Sequence, residues 1–153
     1  MINCFLFILI SGIIIFFIGR IIPRNWIFEN SFPFNSFSFE QNGKIYEKLK
    51  IQKWKTKLPD ASVIINKILP GFMPKKRLEG KGLNKIQVLI KESCIAEANH
   101  FIAGLIGFYC IKIWNHRFSK FIAIINFLFN IPFILIQRYK RPRFIKILNN
   151  HSN

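Results

Sequence analysis

Acidic residues are what this chain has least of. Seven Asp and Glu stand against twenty-three Lys and Arg, a formal charge of +16 over 153 residues. Di-iron bundles built on Glu-x-x-His need that motif in pairs together with further carboxylates. The chain has a single one, Glu97 to His100, so no metal site is expected. Cysteine is scarce too, and Cys4, Cys94 and Cys110 lie at none of the spacings of a metal or dithiol site. They read as apolar filling. Nothing resembles a Ser or Cys nucleophile elbow; Cys94 is poorly placed for His100, which leaves an acyl-cysteine as the lesser alternative. A basic residue ahead of the first apolar run is also missing, as is a small-x-small signal before Arg20. Ile2–Ile18 is therefore expected to be an uncleaved anchor and not a signal peptide.

Apolar residues, by contrast, come in long runs. They make up 51% of the chain, and eighteen residues are phenylalanine. Crossing roughly 30 Å of hydrocarbon takes about 20 residues in a helix. Ile2–Ile18 nearly meets that length, and Phe121–Ile136 is apolar apart from Asn126 and Asn130. Phe101–Trp114 is too short by itself, so its helix must begin near Ser93 or Ala96 and carry Glu97 and His100 in with it. The expectation is an all-α membrane protein with about three transmembrane helices, spans about 2–19, 94–114 and 119–137, in one membrane domain. The basic residues then have a topological explanation. They crowd the 20–93 loop and the tail 138–153, while the Asn115–Lys120 turn holds only Arg117 and Lys120. By the positive-inside rule, loop and C-terminal tail are cytoplasmic and the N-terminus lies outside a multi-pass cell-membrane protein. No nucleic-acid partner is needed to account for the charge.

Within the loop, Phe28, Phe32, Phe34, Phe37 and Phe39 suit a segment at the headgroup level. Ser38 three residues before Gln41 suggests a capping box, weakened by Gly43. The following lysine-rich stretch predicts an interfacial amphipathic helix, with Trp54 at the headgroup boundary and Pro59 ending it. Lys53-Trp54-Lys55 anchors it to anionic lipid in the simplest reading. Pro74, Lys75, Lys76 and Arg77 read as a basic turn, open to phosphate or to solvent.

The chemistry concentrates on one helical face. Glu97, His100, Gly104, Gly107 and Ile111 fall on a single stripe, and Asn126, Asn130 and Gln137 fall on another. In an antiparallel hairpin centred near Arg117, Gln137 lies level with Glu97, Asn130 with Gly104, and Asn126 with Phe108. The glycines allow close approach, and Pro132 removes a backbone donor and is expected to kink the third helix, making a polar-lined notch there the best candidate pocket. Glu97 is in reach of His100 and could orient it as a general base. Arg138, Arg141 and Arg143 could hold phosphates or an oxyanion, with Asn130 and Gln137 as neutral donors. Such an inventory suits acyl transfer from a thioester to an alcohol. The alternative is a non-catalytic membrane scaffold or lipid-binding protein, whose Glu97 and His100 only tie helices together.

Three stretches, SFSFEQNGKIYEKLKIQKWKTKLPD, KESCIAEANH and NIPFILIQRYKRPR, together resemble the glycosyl-4,4'-diaponeurosporenoate acyltransferase family, small membrane proteins of staphyloxanthin-type carotenoid biosynthesis. The likeness runs from about Phe32 to Leu148. Its most specific part is the ordered pairing of Glu-x-x-His with Gln-Arg-Tyr-x-Arg-Pro-Arg. Ile95 and Phe101 depart from it, where relatives often carry a basic residue and a Trp. The resemblance implies transfer of a fatty acyl group, from acyl-coenzyme A or acyl carrier protein as co-substrate and with no bound cofactor, onto the sugar of a glycosylated carotenoid or related glycolipid. It implies catalytic roles for His100 and Glu97. Substrate contacts would come from Lys53, Trp54, Lys55, Glu92, Asn130, Gln137, Arg138, Tyr139, Arg141 and Arg143.

Overall fold

The computed structural model describes residues 2–59, 61–68, 70–71 and 82–152, and all regular structure among them is helical. In chain order the helices are α1 (Ile2–Ile21), α2 (Lys44–Lys48), α3 (Ile51–Trp54), α4 (Ala61–Ile68), α5 (Leu83–Ile106), α6 (Cys110–Ile113) and α7 (Arg117–Ser152). Three stretches are long and apolar enough to cross a membrane: Ile2–Ile21, Leu83–Ile113 and Arg117–Asn150. The expected all-α membrane architecture is what forms. The basic turn from Pro74 to Arg77 lies outside the described residues.

α5 is the central rod, with α1 and α7 both antiparallel to it. On one side Cys4 meets Cys110, Gly19 meets Asn99, and Arg20 meets Glu92. α1 presents Cys4, Ser11, Ile15 and Gly19 inward, a stripe of mostly small side chains that lets backbones approach without large side chains between them. Most of its remaining Ile, Leu and Phe side chains face outward, as a lipid-facing helix requires, while Phe7 packs on Tyr109 with ring centroids 5.7 Å apart. Ser11 returns its hydroxyl to its own helix, bonding the carbonyls of Phe7 and Ile8. At the end near the loop, Glu92 accepts from both Arg20 (3.1 Å) and Arg24 (2.5 Å), clamping α1 to α5.

On the other side α7 packs along α5 in nearly the register the hairpin argument gives. Gly104 faces Asn130, whose Cβ would lie 3.6 Å from a methyl added there. Asn126 falls beside Gly107, one residue from the expected Phe108, and its Nδ2 donates to the carbonyls of Ala103 (2.9 Å) and Gly104 (3.2 Å). At the end away from the turn Arg138 meets Glu97, one residue past the expected Gln137.

Two local features go beyond the sequence pattern. α7 contains the expected third span and continues past it, running 36 residues through both Pro132 and Pro142, about 54 Å in length. The basic tail is therefore mostly a helical extension, held by contacts at Arg138, Tyr139 and Arg141. The lysine-rich stretch is not one amphipathic rod. Lys50 adopts φ 52° and splits it into α2 and α3, followed by a tight turn at Lys55–Lys57. Tyr46 and Ile51 would point about 140° apart on one continuous helix. The break lets both enter one cluster with Ile136 and Tyr139, with Trp54 and Leu58 packed against it. The capping interaction also moves, since the Phe37 amide donates to Glu40 at 2.9 Å while Gln41 and Asn42 turn left-handed.

Candidate active site

Four buried charges meet where α5, α7 and the 33–43 segment come together. Glu97 accepts from Arg138 Nη1 at 2.5 Å through one oxygen and from Arg141 Nη2 through the other. Arg138 also reaches Glu40, with Nε 2.5 Å from Oε1 and Nη2 3.1 Å from Oε2. These side chains are no more than 9% exposed. Two guanidinium groups and two carboxylates make the cluster neutral, which is what allows charge to stay so far from water.

The remaining arginine donors are capped by backbone. Arg138 donates to the carbonyls of Pro33 (3.1 Å) and Asn35 (3.0 Å), and Arg141 to Phe34 (2.6 Å) and Ser93 (3.3 Å), with Nε on Ser93 Oγ at 3.0 Å. The rings of Phe37 and Phe34 lie 4.5 and 5.5 Å from the Arg138 and Arg141 guanidinium carbons. The Phe-rich segment is thus a lid of carbonyls and ring faces over the arginine pair. Glu40 anchors it from below, taking further bonds from Tyr46 and from Ser36 (3.3 Å). Burial opposes ionisation of Glu40, yet the bonds from Arg138, Tyr46 and the Phe37 amide outweigh it and hold the carboxyl below its ordinary value. Burial and that same bond push the Tyr46 phenol up.

One turn along α5 from Glu97 stands His100, half-buried and stacked 4.6 Å from the Phe133 ring. Its Nδ1 is 3.0 Å from Asn130 Oδ1. The tautomer follows from the next link. Asn130 Nδ2 donates to the Asn126 carbonyl at 2.9 Å, so its oxygen must face the ring and accept a proton from Nδ1. Neutral His100 is therefore basic at Nε2. The orienting bond in this geometry comes from Asn130, while Glu97 commits both oxygens to arginines.

The other sequence candidates divide into groups. Glu92 sits in the clamp with Arg20 and Arg24. Tyr139 is buried with its hydroxyl 3.1 Å from Gln52, and both Lys55 and Arg143 lie against its ring. Trp54 packs on that cluster and bonds the Leu49 carbonyl at 3.1 Å, Lys53 is exposed, and Gln137 is half-buried. Cavities of about 540 and 470 Å³ lie beyond Arg138, on the far side of it from Pro132. A smaller apolar one of about 140 Å³ lies between α1 and α5. Sequence reading missed Glu40 and Ser93 as partners of the arginines. The scarcity of acids was the available signal, since each carboxylate near a membrane needs a stated partner. No group of three or more metal-ligating side chains occurs among the described residues.

The chain is a polytopic membrane protein of the acyltransferase class. It belongs to the glycosyl-4,4'-diaponeurosporenoate acyltransferase family, whose sequence model matches residues 23–150. Relatives of that name include the protein of Staphylococcus aureus strain MRSA252, 31% identical over an alignment of 149 residues that covers 95% of this chain and 86% of the relative. The strain N315 protein is 30% identical over 150 residues with the same shares of each chain. No solved structure matches the chain.

Proposed function

We propose that this chain moves a fatty acyl group from a soluble thioester, acyl-coenzyme A or acyl carrier protein, onto a sugar hydroxyl of a glycosylated carotenoid or related glycolipid. Kinship with the named acyltransferases supports the reaction class and the acceptor. The charge pattern supports the side: the Arg138 end of the hairpin is continuous with the basic loop and tail, which positive-inside bias assigns to the cytosol, leaving the N-terminus outside.

The observation that carries the reading is the His100–Asn130 pair, a base with a fixed tautomer in a membrane hairpin. In this reading the acceptor hydroxyl gives its proton to His100 Nε2 as its oxygen attacks the thioester carbonyl. The tetrahedral intermediate collapses with cleavage of the C–S bond, and the imidazolium returns the proton to the departing thiolate. Arg138 and Arg141 spend their donors on Glu40, Glu97 and the lid. Their role is to position Glu97, the lid and the end of α7, not to grip an anion.

His100→Gln tests this directly. General-base catalysis contributes roughly 10²–10⁴, so a variant that accumulates normally is expected to lose acylated product by that factor. Mass spectrometry of membrane lipids should then show the glycosylated precursor rising by the amount the acyl ester falls. Retained product in cells carrying H100Q would refute the assignment and favour a scaffold.

A further inference from the structure

The arginine-rich end of α7 holds cations of two kinds. Arg138 and Arg141 are neutralised, but Lys44, Arg143 and Lys146 line the 470 Å³ cavity, which adjoins the larger one at Asn42, Pro142 and Lys146 and has Glu47 as its one carboxylate. Lys44 and Lys146 make no ion pair among the described residues. Arg143, its side chain 39% exposed, gives Nη2 to Glu47 at 2.8 Å and lies 3.6 Å over the Tyr139 ring, while its Nη1 faces inward without a hydrogen-bond partner. Lys55 Nζ approaches the same ring at 5.1 Å. A buried donor left unsatisfied costs more than a made bond gains. This corner is thus net positive and short of an acceptor.

We infer that the cavity takes the phosphate of a phosphopantetheine-type acyl donor, an assignment that rests on the acyltransferase reading above. Two distances favour this source over a lipid headgroup. Arg143 and Lys146 lie six and nine residues past Gln137, about 9 and 14 Å along α7. If the hydrocarbon begins near Arg117 it ends near Gln137, and the headgroup layer adds only roughly 5–8 Å. The cavity therefore reaches into water. Phe133, which stacks on His100, is ten residues from Arg143, about 15 Å. An extended pantetheine arm spans a distance of this order, so a phosphate held here would deliver its thioester to the His100 level.

The test uses the full chain in nanodiscs of zwitterionic lipid, titrated with acyl-coenzyme A. The double variant Arg143→Gln with Lys146→Gln should weaken donor binding at least about tenfold, in keeping with loss of charge-assisted bonds. Donor KM should rise with it while acceptor KM stays put. Free coenzyme A should compete, and a dephosphorylated pantetheine thioester should not. Lys146→Gln alone, at a side chain without an ion pair among the described residues, should give a smaller loss in the same direction and guards against misfolding of the double variant. Donor binding unchanged in both variants would overturn the inference. So would unchanged donor binding together with lost co-sedimentation on phosphatidylglycerol vesicles, which would assign the cavity to a headgroup. If the chain binds donor in this charge-dependent way but forms no ester, the acyltransferase reading fails and the site stands. If ester forms with donor KM indifferent to both substitutions, the site falls alone.

Discussion

Replacing Glu97 with Gln removes one charge from a cluster whose sum is zero. The new side chain keeps one carbonyl oxygen, able to accept from one guanidinium, and turns an NH₂ donor toward the other. Arg138 still has Glu40, but Arg141 is left with Ser93 and the Phe34 carbonyl and no carboxylate. Its side chain is 4% exposed, so water cannot take over. Breaking a buried pair at one partner costs about 3–5 kcal/mol, and Glu97→Gln should fall in that range. Arg141→Met alone leaves Glu97 paired with Arg138, and loses charge-assisted bonds worth about 1.5–3 kcal/mol each. Combined, the two substitutions leave the introduced amide accepting from Arg138 and no stranded charge. The double variant should therefore be more stable than the sum of the singles predicts by about 2 kcal/mol. Unfolding in mixed micelles by sodium dodecyl sulfate, run on all four proteins, measures the cycle. Additivity within about 0.5 kcal/mol would mean that the two side chains are not coupled and that the cluster is not the unit described.

Glu40 gives a pH signature. Its folded pKa is depressed, so its stabilisation is complete above the ordinary value of 4.5 and is lost as pH falls through the lower folded value. Glu40→Gln should flatten the acid limb of melting temperature against pH below about that point; an unchanged limb would count against the anchoring role. Gly107→Ala drives a methyl into Asn126 Nδ2 and should cost about 1–3 kcal/mol in the same micelle unfolding, whereas Gly12→Ala meets nothing within 4 Å and should be near neutral. Glu92→Gln loosens the α1 clamp, but Arg20 and Arg24 are 21% and 33% exposed and already partly solvated. Its cost should stay near 1 kcal/mol or below, well under that of Glu97→Gln.

The spans and the hairpin register were legible because both are local and periodic. Asn126 and Asn130 sit four residues apart on α7, opposite Gly104 on α5 and Gly107 just past its end, and the turn between the helices leaves little freedom to slide. The arginine lid was not legible. Glu40 and Arg138 are 98 residues apart, and no spacing rule connects a carboxylate in an irregular segment to a guanidinium on a distant helix. The break at Lys50 was hidden for a related reason: it exists to bring Tyr46 and Ile51 onto the same patch of α7, a demand made by the partner and not by the segment itself. The length of α7 was obscured by its prolines and charge, which taken alone mark an end.

What the sequence did contain, unread, was the distribution of its few acids. Glu92 ties α1 to α5, Glu97 ties α5 to α7, Glu40 ties the 33–43 segment to α7, and Glu47 ties α2 to α7. Each of these carboxylates joins two different elements, and each does so through arginine. Arg suits this use because its fork can satisfy a carboxylate and a backbone carbonyl at once, as Arg138 and Arg141 both do. Lysines meanwhile populate the loop, where a flexible and strongly hydrated ammonium loses least by staying in water. Four of the five glutamates among the described residues thus mark junctions, Glu29 making no ion pair there, and Glu40 is the one of the four that no periodicity or spacing points to.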